Sequence, residues 1–77
     1  MRVDSEFING NLCFKNFVIV RKKETFYGVY ERSILSHAPC GELITSGETL
    51  DKAARKAKLL QIGYDMCRDN MRDAYFI

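Results

Sequence analysis

From Leu50 onward, apolar side chains recur at spacings of three and four: Leu50, Ala53, Ala54, Ala57, Leu60, Tyr64, Cys67 and Met71. That spacing follows the 3.6-residue period and predicts one long amphipathic helix over about 49–70. Thr49 is the expected N-cap, because its hydroxyl can accept a bond from a free N–H of the first turn. Glu48 and Asp51 lie near the positive end of the helix dipole, which favours them. Gly63 interrupts the stripe, and mid-helix glycine costs ~1 kcal/mol relative to alanine. The stripe keeps its phase across Gly63, so the helix is expected to run through it. A helix with one apolar stripe must bury that stripe against another element, and the alanines let it approach a sheet closely.

The residues before the helix read as hairpins. Asn9-Gly10 lies between Phe7-Ile8 and Leu12-Cys13-Phe14, and Asn-Gly accepts the positive φ angles of a two-residue turn. A strand is expected at about 5–8, with its partner from Asn11. Phe17-Val18-Ile19-Val20-Arg21 and Thr25-Phe26-Tyr27-Gly28-Val29-Tyr30 are rich in β-branched and aromatic residues, with Lys22-Lys23-Glu24 as the turn between them. Ser36-His37-Ala38-Pro39 reads as a loop, because proline removes a ladder donor. Ile34-Leu35 either extends the preceding strand or tucks under that loop. Residues 41–46 read as a last strand, ended by Gly47.

These pieces define an α+β fold: an antiparallel sheet of four or five short strands built from β-hairpins, with one long C-terminal amphipathic helix on one face. At 77 residues the chain is expected to be one domain, 1–77, with a hairpin block at about 5–46, the helix at about 49–70 and an apolar tail at 74–77. A domain this short buries only about 60% of its unfolded surface and gains much from a partner. Three cysteines, Cys13, Cys40 and Cys67, form no closed disulfide framework, and the polar first residues lack an apolar signal region. A reducing, cytoplasmic setting is expected. The longest apolar run, Phe17 to Val20, is far too short to span a membrane.

Two apolar groups are left over. Leu59, Ile62 and Met66 lie roughly opposite the Ala53/Ala57 line. Either the apolar tail Tyr75-Phe76-Ile77 covers them, or the helix kinks at Gly63, or a partner covers them. Phe17 to Val20 is apolar on both faces, so the second face of the sheet is also expected to be covered, by the N-terminal hairpin or by a second copy.

Catalytic and metal chemistry find little support. His37, Cys40, Cys13 and Cys67 could supply four zinc ligands, but structural zinc ligands come in close pairs, and Cys13 and Cys67 have no paired neighbour. His37 beside Cys40 lacks the orienting third group of a nucleophile–base couple. The carboxylates form no acid–base pair and the glycines no phosphate-binding pattern. No enzyme activity, cofactor, metal or small-molecule substrate is expected.

With 12 basic and 10 acidic residues, the chain is near charge balance. Its cations are grouped, however: Arg21, Lys22 and Lys23 in one run, and Lys52, Arg55 and Lys56 on the helix, with Lys58 at the edge of its core stripe. With Tyr27 and Tyr30 for stacking, these could meet nucleic acid. The order of strands then helix resembles the latter part of double-stranded-RNA-binding domains and the small sheet-plus-helix DNA-binding domains. That likeness is one of architecture, and it assigns no family. Where the first family places two lysines at the helix start, this chain has Leu50-Asp51. The expected function is a small non-enzymatic interaction or regulatory module, self-associating as a homodimer or binding a protein partner through Leu59, Ile62, Met66, Tyr75, Phe76 and Ile77. Nucleic-acid binding is the alternative.

Overall fold

The computed structural model describes the backbone of residues 3–33 and 35–76, and side chains as far as Cys67. Five strands come first: β1 (Glu6–Ile8), β2 (Asn11–Cys13), β3 (Phe17–Lys23), β4 (Phe26–Arg32) and β5 (Pro39–Gly47). They form one antiparallel sheet in chain order, β1-β2-β3-β4-β5, so every connection joins neighbours. The helix α1 (Leu50–Phe76) follows and packs across one face. This is the α+β architecture expected, with five strands. The expected helix end at about 70 falls inside α1, and residues 74–76 continue its backbone.

Local chemistry explains most boundaries. Asn9 (φ 52°) and Gly10 (φ 82°) both occupy the left-handed region, and Ile8 pairs with Asn11 across the two-residue turn. At the helix start, Thr49 Oγ1 accepts the Lys52 N–H at 3.2 Å, and the Thr49 carbonyl accepts the Ala53 N–H at 3.0 Å. Thr49 is therefore the N-cap. The helix passes through Gly63 unbroken.

Three local expectations need correction. Lys22 and Lys23 belong to β3: a bulge between Arg21 and Lys23 absorbs one residue, and the turn is Glu24-Thr25. Pro39 begins β5 and pairs with Arg32. An edge strand tolerates proline, because its missing N–H can face away from the sheet. Leu35 is 95% exposed and neither extends β4 nor tucks under the loop. Ile34 lies outside the described residues.

The core between sheet and helix holds Phe14, Phe17, Ile19, Val29, Ala53 and Ala57, with Leu12, Tyr27, Leu50, Ala54 and Leu60 packed around it. On the other face of the sheet, Val18 is fully buried, and its direct cross-strand neighbours are Cys13 and Tyr30. The single chain is thus enough to bury Val18, while Val20 stays partly open. Gly47 has a reason beyond ending a strand. A Cβ there would lie 2.5 Å from the Ala53 backbone nitrogen, so glycine lets β5 turn directly under the first turn of α1.

Among the described residues assigned to the inward stripe, two are exposed, Tyr64 and Cys67; the side chain of Met71 lies outside them. Tyr64 still meets Phe17 edge-on, with ring centroids 6.2 Å apart. The inward line runs Ala53, Ala57, Gln61, at steps of four, and Gln61 is only 2% exposed. Its Oε1 accepts the Asn16 backbone N–H at 2.8 Å, and its Nε2 donates to Asn16 Oδ1 at 2.7 Å and to Asp65 Oδ1 at 3.2 Å. The middle of α1 is thereby pinned to the β2–β3 connection. The same connection is held from β4, where Arg32 Nη1 donates to the Phe14 carbonyl at 2.7 Å and Arg32 N–H to the Asn16 carbonyl at 2.9 Å.

Candidate interaction surface

With its inward line fixed by Ala53, Ala57 and Gln61, α1 must turn the opposite face outward. At about 100° per residue, that outward line carries Lys52, Arg55, Leu59, Ile62 and Met66. Leu59 is 69% exposed and Met66 53%, while Ile62 is half-buried. The side chains of Tyr75 and Phe76, and all of Ile77, lie outside the described residues, as does any contact of the 74–77 tail.

Leu59 is not isolated. Beside it, Ile44 and Thr45 of β5, Leu60 and the stem of Lys56 line a shallow, mostly apolar groove between the helix and the sheet edge. A register shift explains why Ile44 is there. Val29 pairs with Thr45 but Glu31 with Cys40, so β5 carries extra residues between them. The strict alternation of the strand is lost at this bulge. Leu43 goes to the far face, over Gly28 and near Tyr30, while Ile44 borders the helix groove. Ile44 was not among the residues expected here. Its signal in the sequence was the apolar pair Leu43-Ile44, which a regularly alternating edge strand would not carry.

The cations expected to meet nucleic acid are divided. Lys52 Nζ lies 3.5 Å from Glu48 Oε2, and Lys56 Nζ donates to the Ser46 carbonyl at 2.6 Å. Both border a cleft that also includes Thr25, Phe26 and Gly47. Arg55 is exposed. On β3, the Arg21 guanidinium lies 5.9 Å from the Tyr27 ring centre and Lys22 Nζ 5.3 Å from that of Tyr30. Tyr27 packs toward the helix side and Tyr30 pairs with Val18 on the other, so the two tyrosines form no common stacking platform. Lys23 is exposed at the strand end.

Elsewhere the chemistry is structural. Arg32 Nη2 lies 2.6 Å from His37 Nδ1; arginine can only donate, so Nδ1 accepts. The His37 ring is therefore engaged with Arg32 at that nitrogen. All three cysteines are free thiols, with Cys13 buried and Cys40 and Cys67 exposed. Among the described residues no three of His, Cys, Asp and Glu come together in a metal-holding group. No described helix is long and apolar enough to cross a membrane.

The architecture is a five-stranded antiparallel meander backed by one long helix. Comparison with family models, with curated proteins and with solved structures found no match.

Proposed function

We propose that this chain is a small non-enzymatic protein-interaction module, whose docking surface is the outward line of α1 together with the groove it shares with β5. One observation carries this reading: Leu59 and Met66 stand open to solvent on the line facing away from a core already closed by Ala53, Ala57 and Gln61. Exposed apolar groups aligned along one rigid helix, continued by Ile44 across a groove, make an unpaired contact surface. Helix-in-groove recognition uses anchors at such i, i+3, i+7 positions.

The test is a photo-crosslinking amino acid placed at Leu59, and separately at exposed Glu31 on β4 as a control. It is run on the purified protein and in an extract of the source cells. Polypeptide adducts, with a second copy or with another protein, should form at position 59 and vanish when Met66 is changed to Glu. Equal labelling at both positions, or none at 59, refutes the reading.

Nucleic-acid binding is the second reading. It is favoured by Lys52 and Lys56 bordering one cleft beside Phe26. It predicts binding of a labelled duplex that weakens steeply with salt and falls on changing Lys52 and Arg55 to alanine.

A further inference from the structure

The outward line of α1 does not end at Met66. The helix backbone runs to Phe76, and at the same steps of three and four the sequence continues Lys52, Arg55, Leu59, Ile62 and Met66 with Asp69 and Asp73. That is the spacing of a seam along which a second helix packs. Cations stand at the first end of the line, apolar residues in its middle and anions at its last end. Read backwards, the line is its own charge complement. One flank repeats the pattern, with Lys58 before the middle and Asp65 after it. Lys52, Arg55 and Lys58 are exposed, and Asp65 is half-buried.

Resting on the interaction surface proposed above, we infer that its occupant is a second copy of this chain, laid antiparallel along the outward line and centred near Ile62. In that register Ile62 meets its own equivalent, and Leu59 of each copy meets Met66 of the other. Arg55 comes level with Asp69, Lys52 with Asp73, and Lys58 with Asp65 on the flank. Opposite charges at matching levels set both partner and orientation. Leu59 and Met66, 69% and 53% exposed in the single chain, are the groups that pairing removes from water. A parallel arrangement sets Arg55 against Arg55 and Asp69 against Asp69, and like charges facing each other oppose it. Lys52 already lies 3.5 Å from Glu48, in a pair whose side chains are 63% and 78% exposed. So solvated a pair contributes little, and the orientation rests mainly on Arg55 and Lys58. Nucleic acid fits the line less well, because Asp69 and Asp73 would be brought toward its phosphates.

The test is sedimentation of the wild type, Arg55→Glu, Asp69→Lys and Leu59→Glu, each first checked for folding by circular dichroism. Wild-type protein should sediment as a dimer at micromolar concentration, and Leu59→Glu should dissolve it. Arg55→Glu and Asp69→Lys each set like charges level with one another twice per dimer, and each should weaken association roughly tenfold or more. An equimolar mixture of these two variants should restore the dimer. The glutamate introduced at position 55 of one chain then faces the lysine introduced at position 69 of the other, while native Arg55 and Asp69 face each other at the second contact. Within one helix positions 55 and 69 are roughly 21 Å apart at 1.5 Å per residue, so recovery on mixing is a contact between chains. Should Asp69→Lys fail to fold, mixing Lys52→Glu with Asp73→Lys repeats the exchange. Three results overturn the inference: wild type that stays monomeric at its highest soluble concentration; a dimer that neither Arg55→Glu nor Leu59→Glu weakens; or a mixture no better associated than its components. A monomer crosslinked at position 59 to a different protein changes the occupant and leaves the interaction surface standing. A monomer crosslinked to nothing overturns both.

Discussion

Gln61→Met removes the amide that pins α1 to the β2–β3 connection while keeping a side chain of similar length. Two bonds to Asn16 are lost, at 2.8 and 2.7 Å, together with the 3.2 Å bond to Asp65. The Asp65 carboxylate is half-buried and can turn to water, so that bond contributes little. The Asn16 backbone N–H is different: among the described residues its acceptor is the Gln61 amide oxygen, in a part-buried bond. An unsatisfied buried donor costs about 1–3 kcal/mol, and a typical hydrogen bond contributes about 1 kcal/mol net. Methionine returns part of this by burying a more apolar stem. The expected net loss is about 2 kcal/mol, or a Tm lower by roughly 8–16 °C for a domain of this size. Asn16→Ala keeps the backbone N–H and its acceptor and removes only the Oδ1 partner, so it should cost about half as much. The double variant should cost less than the two singles added together, by about 1 kcal/mol, because they share one bond. Urea unfolding followed by far-ultraviolet circular dichroism measures all three, since the chain has no tryptophan to report by fluorescence. A Gln61→Met protein within about 0.5 kcal/mol of wild type, or strict additivity in the double variant, would refute the pinning argument.

Other substitutions test other joints. Gly47→Ala forces a Cβ against the Ala53 backbone and should destabilise by about 1–3 kcal/mol, read as a lower urea midpoint with an unchanged slope. Gly63→Ala meets no atom within 4 Å and should stabilise by about 0.5–1 kcal/mol, with the gain visible in thermal melts. A loss there would mean that the helix does not run through residue 63. Thr49→Ala removes the acceptor for the Lys52 N–H and should cost about 1 kcal/mol, whereas Thr49→Ser should be near neutral. Slowed or unchanged amide exchange at Lys52 in the alanine variant would contradict this capping role.

What could be read from the sequence was what depends on near neighbours. Asn9-Gly10 carries its own turn geometry, Thr49 its own cap, and the Ala53/Ala57 spacing its own buried face. The parts that were missed depend on partners far along the chain. Gln61 is buried because Asn16, 45 positions earlier, supplies both a donor and an acceptor. Periodicity alone places a polar residue outside the core, although Gln61 stands in phase with Ala53 and Ala57. Pro39 could be recognised as a strand residue only once β5 was known to be the sheet edge. Lys22 and Lys23 were misplaced because a bulge shifts the turn by one residue while leaving the composition unchanged. For the exposed apolar line proposed as an interaction surface, Leu59 and Met66 were legible from helical spacing. Ile44 was not, because its place beside Leu59 depends on which strand lies next to the helix and on the bulge that turns it there.

The edge position of β5 carries a hazard of its own. A nine-residue outer strand offers unpaired backbone groups to any other extended chain, which is how sheet proteins aggregate. Three features of this strand reduce that hazard. Pro39 contributes no N–H at its start. Gly41, with φ 76°, and the displaced residues around it break the flat ribbon that a foreign strand would need. Near its end, the Lys56 ammonium caps the Ser46 carbonyl and sets a charge beside the open groups. At the opposite edge, β1 is only three residues long, too short a template to recruit much. The chain can therefore leave an apolar helix line exposed while denying its sheet edges to the indiscriminate pairing that leads to fibrils and precipitates.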